Sequence, residues 1–352
     1  MKIIFFRHSL LNRGGDKMVL AHAAALADVG HQVVLKTAQI DTHFSIEPRI
    51  QIEYIPFGKI PATICSAVSQ HDISAIYIAD IVLLSLLLSF RNKSRVLFYA
   101  QGYDEFNSSF LPIRWLIRLL LVVGLRVFHI PVFAVSEHLA SYLHTNYNAN
   151  VTVVPNGIDS IFFRPSLKSA SFLPLNSQNR IILLHARLDH AKGFDAAIAA
   201  LRLLVQDNQL PIEVWTVGEY LPHRLDFVAN RQFGYVTADA MAQIMSSADV
   251  FLHPSRHEGF ALAVLEAFAS HCPVVTTPAV YFAQHEVNAM VAEPDVPELL
   301  AAYLIEVLTD QPLRERLIAN AYCLAIRFTL DRCTSNFQEA LIARFGTMFS
   351  AR

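Results

Sequence analysis

The chain has 352 residues, a formal net charge of −2 and a pI near 6.7, so bulk attraction to nucleic acid is excluded as its business. That length suffices for two domains of ordinary size. A hydrophobic share of 53% and a mean hydropathy of +0.36 call for large buried sheets, a membrane-facing surface, or both, yet no apolar run reaches the roughly eighteen residues of a spanning helix.

From the N-terminus, MKIIFFRHS is too short an apolar stretch for a signal peptide before Arg7 interrupts it, and Lys2 to Phe6 reads as a strand. The turn Asn12-Arg13-Gly14-Gly15 leads into a helical pattern from Asp16 to Val29, Gly30 stops it, and His31 to Thr37 is the next strand. Two glycines at a loop-to-helix junction let backbone amides approach a phosphate, although the spacing is not the G-x-G-x-x-G of a dinucleotide oxidoreductase. Strands are expected at Ile52 to Ile55, Ala75 to Ile78, Val96 to Tyr99, Val132 to Val135 and Val151 to Pro155, with helices between them, which implies a parallel α/β sheet. Ser136 is placed to cap the helix beginning at Glu137. Leu111 to Ile130 carries Arg114, Trp115, Arg118 and Arg126 on an apolar background. It fits either a helix lying in a membrane interface or a core helix with arginines at its rim.

Phe162 to Arg180, rich in Pro, Ser and Asn, reads as the interdomain linker. The strand–helix alternation then restarts: strand Ile181 to His185, loop Arg187 to Gly193, helix Phe194 to Val205, strand Pro211 to Val217, the segment Phe233-Gly234-Tyr235-Val236, and helix Asp239 to Ser246. Strand Val250 to His253 follows, then the turn Arg256-His257-Glu258-Gly259, the apolar segment Phe260 to Ala269, and strand Pro273 to Thr276. Leu299 to Leu308, Leu313 to Ile326 and Leu330 to Phe345 read as closing helices, the last able to reach back to the first domain. The cysteines Cys65, Cys272, Cys323 and Cys333 lack metal spacing and read as core residues or free thiols of a reducing compartment.

Chemistry gathers around two acids and two cations. Glu258 sits in the turn at a strand's carboxyl end, where open α/β sheets bind ligands, and is either a helix cap or a ligand group. Glu266 lies on a helix whose neighbours Leu262, Val264, Leu265, Ala267 and Phe268 leave almost no polar face, so a buried carboxylate in need of a partner is expected there. Arg187 and Lys192, five residues apart in a loop before Gly193, suit a diphosphate; solvated surface charges are the alternative.

The series Gly14-Gly15, Val135-Ser136-Glu137, Val154-Pro155-Asn156-Gly157-Ile158-Asp159, Ala186-Arg187-Leu188, Lys192-Gly193-Phe194, Ser247-Ala248-Asp249-Val250 and Glu258-Gly-Phe-Ala-Leu-Ala-Val-Leu-Glu266 resembles the retaining glycosyltransferases of the GT-B fold, family 4 (glycosyl transferases group 1), along nearly the whole chain. The resemblance implies an α/β protein of two Rossmann-like domains with parallel sheets facing across a cleft: 1–160 for the acceptor, 161–328 for a nucleotide-sugar, and 329–352 returning to the first. It implies that Glu266 accepts the ribose hydroxyls and Glu258 contacts the donor sugar. Amides of Gly259, Phe260, Ala261 and Leu262 serve sugar or phosphate, Arg187 and Lys192 neutralise the leaving diphosphate, and Tyr235 flanks the base, with Gly14 and Gly15 also at the donor. No metal and no cofactor are expected, and the donor is a nucleoside-diphosphate sugar, uridine ahead of guanosine. The expected reaction is retaining hexosyl transfer to a glycolipid, lipopolysaccharide or other surface-polysaccharide acceptor by a cytoplasmic protein, peripheral on the inner face of the plasma membrane through 111–130. Gln101 stands where the family often has a histidine; its carbonyl can face a positive transition state but cannot take a proton, so Asp104 or Glu105 are the substitutes to consider. After Pro278 the customary glycines are missing, and Glu286 is the candidate for the acid that often follows. A silent nucleotide-sugar-binding subunit and a sugar-nucleotide epimerase on the same architecture are the alternatives.

Overall fold

The computed structural model describes residues 1–106, 110–164, 172–207 and 210–346; Phe57 and Lys93 are described by backbone alone. The chain forms two compact units, one of residues 1–157 with 330–352 and one of 158–329.

In the first unit seven parallel strands pair in the order β5-β3-β1-β6-β7-β8-β9. They are β1 Lys2–Phe6, β3 Gln32–Thr37, β5 Gln51–Tyr54, β6 Ala75–Ala79, β7 Val96–Ala100, β8 Val132–Ala134 and β9 Val151–Val153. Beyond the sheet, β2 Ser9–Leu10 pairs with β4 Gln39–Ile40. Helices α1 Gly14–Asp28, α2 Ile60–Ser69, α3 Val82–Asn92, α4 Leu111–Leu121 and α5 Glu137–Tyr147 make the crossovers. Such parallel sheets are covered on both faces, which is why β1, β6, β7 and β8 are apolar without alternation. Ser136 caps α5 by accepting from the Leu139 amide at 3.1 Å.

The last helix, α11 Leu330–Phe345, packs in this same unit. Cys333, Phe337, Leu341 and Phe345 recur every four residues and form one buried stripe. Phe337 stacks on His22 at 4.0 Å and meets Tyr99 and Phe133 edge-on, while Gln338 donates to the Ala25 carbonyl at 2.8 Å. Burial pushes the His22 imidazole down to about 3, so this neutral ring serves the core, bonded to the Tyr99 hydroxyl.

The 111–130 segment departs from the core-helix alternative. Helix α4 buries only Leu121 and runs on into a π-helical stretch, Val122–Val127. Leu111, Trp115, Leu116 and Leu119 are exposed, Trp115 by 67%, so this is no core helix. Nor are its arginines simply turned outward. Arg118 is bonded to the buried Glu105 carboxylate, which also receives the Tyr147 hydroxyl, and Arg114 lies 5.1 Å from the centre of the Phe106 ring.

The second unit holds six parallel strands in the order β12-β11-β10-β13-β14-β15: β10 Arg180–Ala186, β11 Ile212–Gly218, β12 Ala229–Gln232, β13 Val250–His253, β14 Val274–Thr276 and β15 Met290–Val291. Its helices are α6 Phe194–Asp207, α7 Ala238–Ser247, α8 Leu262–Ala269, α9 Pro297–Thr309 and α10 Gln311–Ala325, with α6 and α9 closing one face of the core. The expected linker 162–180 is not one: the units divide at 157/158, Phe162 is buried in the second unit, and residues 165–171 of that segment lie outside the described residues. The chain enters and leaves this unit side by side, the Ile158 amide donating to Phe328 at 2.8 Å.

Candidate active site

The second unit gathers its polar groups at the carboxyl ends of β10 and β13. Strand β13 is fully buried, Pro254 ends it, and the turn that follows is pinned from several directions. The Arg256 amide donates to the Ala191 carbonyl at 2.8 Å. Its guanidinium grips Asp295 (2.8 and 2.9 Å from Nε) and Asp195 (2.9 and 3.0 Å from Nη2), and the His190 carbonyl. Gly193 completes the contact: its φ is +64°, and a Cβ there would lie 2.0 Å from the Pro254 carbonyl oxygen, so no other residue fits. This clamp sets the loop after β10 against the turn after β13 and carries Lys192 to Glu258, 66 positions away.

Three donors converge on Glu258 Oε1: Lys192 Nζ at 2.7 Å, Ser255 Oγ at 2.7 Å and His253 Nε2 at 2.9 Å. Among the described residues none is directed at Oε2. The Glu258 side chain is only 9% exposed. Burial acts to raise its pKa, but the Lys192 charge and the bonds from His253 and Lys192 outweigh that and hold the carboxyl well below its ordinary range. On β10, burial first and then the charges of His253, Arg187 and Lys192 push His185 down to about 3, so this ring stays neutral.

Arg187 follows β10 and pairs with the exposed Asp189, its Nε 4.0 Å from Glu219. An exposed pair of this kind is worth no more than about 1 kcal/mol, so Asp189 holds Arg187 only weakly. Glu266 corrects the sequence reading: it is half-buried, on the one stripe of α8 (with Leu262 and Ala263) that the core leaves open. Gly259 and Phe260 precede α8, and Ala261 is its N-cap without a side-chain acceptor; Val264 donates to the Ala261 carbonyl at 3.0 Å, so the amides of Leu262 and Ala263 are the ones with no partner within the helix. Ala261 holds φ 58° and ψ 52°, a left-handed conformation that costs a residue with a Cβ about 1 kcal/mol. Ala261→Gly is expected to raise stability by about 0.5–1 kcal/mol, read as a higher urea midpoint; a lower midpoint would show that packing of the methyl group prevails. Tyr235 is exposed in the loop after β12, where Gly234 adopts φ +66° and its carbonyl receives the Gly218 amide. Glu286, also left-handed, is exposed beside His285.

Gly14, Gly15 and Gln101 belong to the first unit. The two glycines open α1, and a Cβ on Gly15 would lie 2.8 Å from Gln101 Oε1. Around them, at the carboxyl edge of that sheet, is a polar cluster. Arg7, after β1, is bonded to Asp16 of α1 and lies 2.9 Å from Asp80, after β6. Arg7 Nη1, Asp80 Oδ1, Asp104 Oδ2 and both amide atoms of Gln101 are buried without a hydrogen-bond partner among the described residues. Burial, then the Asp80 charge, pushes Asp104 up to about 7, against the Val82 amide that bonds it. Glu105, the other substitute considered for a histidine, is bound up with Arg118 and Tyr147.

The sequence reading overlooked His253, Ser255, Arg256, Arg7 and Asp80. A histidine closing an apolar strand, with a serine two positions on, was the available signal for the first two.

Residues 168–323 match the family described as Glycosyl transferases group 1. The matched stretch lies within the second unit. The chain is similar to an uncharacterized glycosyltransferase of Methanocaldococcus jannaschii, with 26% identity over 214 residues covering 54% of each chain. It is also similar to the lipopolysaccharide glucosyltransferase WaaG of Escherichia coli, with 30% identity over 141 residues covering 37% of each. It spans about half the length, or less, of these curated relatives. In fold it matches Anabaena HepE, solved with UDP-glucose, at a TM-score of 0.74 and 18% identity over 97% of this chain and 100% of that one. The fold of the chain is thus GT-B, with parallel sheets in two Rossmann-like units.

Proposed function

We propose that this chain is a retaining hexosyltransferase that moves a sugar from a nucleoside diphosphate, uridine ahead of guanosine, to an acceptor hydroxyl of a glycolipid, lipopolysaccharide or other surface polysaccharide. The observation that carries the reading is Glu258, ionised and held through one oxygen by Lys192, Ser255 and His253, with its other oxygen left for a sugar hydroxyl. Lys192 and Arg187 meet the charge that grows on the leaving diphosphate, aided by the positive end of α8 and the amides of Gly259 to Leu262. That is the work a divalent cation does in other transferases, which supports catalysis without one. Glu266 takes the ribose hydroxyls and Tyr235 flanks the base. The acceptor hydroxyl attacks on the face the phosphate leaves. In the first unit, the unpartnered atoms of Arg7, Asp80, Gln101 and Asp104 bind acceptor hydroxyls, since each costs about 1–3 kcal/mol if it stays unmet. The similarity to HepE, solved with UDP-glucose, and to WaaG, a lipopolysaccharide glucosyltransferase, favours this donor and acceptor class.

The test is a thermal-shift screen over UDP-, GDP- and ADP-sugars, followed by transfer assays with EDTA and a readout of the product's anomeric configuration. A donor at 100 times its Kd adds about 2.7 kcal/mol of stability. No shift with any donor, an inverted product, or loss of transfer in EDTA would each refute the corresponding part.

No helix among the described residues is long and apolar enough to cross a membrane. The exposed face of α4 supports a peripheral site at the inner face of the plasma membrane, with Trp115 as its anchor. Trp115→Ala is expected to weaken partition onto lipid vesicles. Arg118 is a poor probe of this: Arg118→Ala strands the buried Glu105 carboxylate and is expected to lower the urea midpoint by more than Arg114→Ala, which loses only a contact with the Phe106 ring. Equal losses for the two variants would contradict the Glu105 pairing.

A further inference from the structure

We propose that a cavity at the amino edge of the first sheet binds the phosphate of an anionic phospholipid, as in phosphatidylglycerol. The inference rests on the membrane-surface reading above and adds to it a headgroup site with its own residues.

The cavity has a volume of about 560 Å3 and is lined by Arg91, Arg95, Arg344, His71, His129 and Phe128, among others. No carboxylate lines it among the described residues. Its walls come from segments that end where strands begin: His71 before β6, Arg95 before β7 and His129 before β8. Because every strand of this sheet is parallel, these residues share the amino edge. The polar cluster of Arg7, Asp80, Gln101 and Asp104 lies at the opposite edge, about 17 Å away along a five-residue strand. Substrate chemistry therefore does not account for this cavity.

Three arginines around one opening recognise a phosphate through forked N–H donors. Arg91 sits in the last turn of α3, where Asn92 already donates to the Leu88 and Gln70 carbonyls at 3.1 and 2.9 Å. The guanidinium is thus not needed to cap that helix end. What selects a lipid over a free anion is the rim. Phe128 directly follows the helix that α4 begins and packs edge-on against Phe90 at 5.2 Å. Phe90 and Val127 are 62% and 61% exposed, and the apolar face of α4 with Trp115 continues along the same helix. A ligand that places a phosphate among arginines and acyl chains against Phe90 and Val127 satisfies both halves.

The experiment measures partition of the full chain onto vesicles of phosphatidylcholine alone and of phosphatidylcholine with phosphatidylglycerol. The variants are Arg91→Gln/Arg95→Gln/Arg344→Gln and, separately, Trp115→Ala/Leu119→Ala. The wild type is expected to prefer phosphatidylglycerol, and the arginine variant to lose that preference at about fivefold per arginine while keeping its phosphatidylcholine partition. The Trp115/Leu119 variant is expected to bind both vesicles more weakly and to keep the preference. Circular dichroism of each variant establishes that it is folded, and single arginine substitutions replace the triple one if it is not. An unchanged preference in the arginine variants overturns the headgroup site while leaving the membrane reading intact. Wild-type protein that binds neither vesicle overturns the membrane reading, and this proposal with it. Stabilisation by millimolar inorganic phosphate that the arginine variant loses, without a lipid preference, shows a site for a free anion and also overturns the proposal.

Discussion

Glu258→Ala is expected to lower the rate of sugar transfer by about 10²–10³-fold, the usual loss when one preorganised electrostatic partner is removed. Two consequences of the geometry add to it. Lys192 loses its bond to Oε1 and becomes free to swing away from the diphosphate, and the buried His253 and Ser255 lose their acceptor. A buried pair broken on one side costs about 3–5 kcal/mol; Lys192 keeps 29% of its side chain exposed, which puts the expected loss of stability near about 2–3 kcal/mol. Glu258→Gln keeps the shape and separates the two effects: a folded variant with similar donor binding and a comparably reduced rate assigns the loss to charge. The sign of the pH dependence follows from the direction of the shift. Because the folded carboxyl is more acidic than its ordinary 4.5, its contribution is fully present above that value and disappears as pH falls through the depressed folded value. Wild-type transfer rates for Glu258→Ala, with Lys192→Ala also unaffected, would remove both residues from the reaction.

The other large effect is one of stability. Asp104 is held near 7, against an ordinary 3.8, by burial and by Asp80, while Arg7 is engaged with Asp16 and Asp80. A raised carboxyl works in the opposite sense to Glu258. The folded state keeps its proton longer than the unfolded chain, so stability is full below about pH 4 and falls as pH rises to about 7. Asp104→Asn mimics the protonated acid and removes this cost. It is expected to match the wild type near pH 4 and to exceed it at pH 8 by up to about 4 kcal/mol, measured by urea unfolding at the two values. A difference that does not change with pH would mean that Asp104 titrates normally. If Asp104 also handles an acceptor proton, the gain in stability comes with a loss of transfer.

The division of labour between sequence and tertiary structure shows in particular residues. The apolar strands β1, β6, β7, β10 and β13 were legible because strands buried on both faces need unbroken runs, and the cap of α5 because Ser136 precedes a helix whose Leu139 amide it then accepts from. Strand β12, Ala229–Gln232, was not, since an edge strand of Ala, Asn, Arg and Gln carries no hydrophobic signal. For α4, periodicity specified an amphipathic helix, but an apolar face looks the same in sequence whether a core or a membrane receives it. Only packing showed it uncovered, and only packing showed Arg118 turned to Glu105.

At the site, residue type and spacing alone singled out Glu258, Glu266, Arg187 and Lys192, because acids and cations at strand ends have few structural uses. That Lys192 meets Glu258 is decided by long-range contacts that no local pattern encodes: Gly193 against Pro254, and Arg256 against Asp195 and Asp295. The same holds for the ionisation states. A carboxylate's pKa depends on what the fold packs around it, so Glu258 beside Lys192 becomes a stronger acid and Asp104 beside Asp80 a weaker one, although both begin as ordinary acids in a loop.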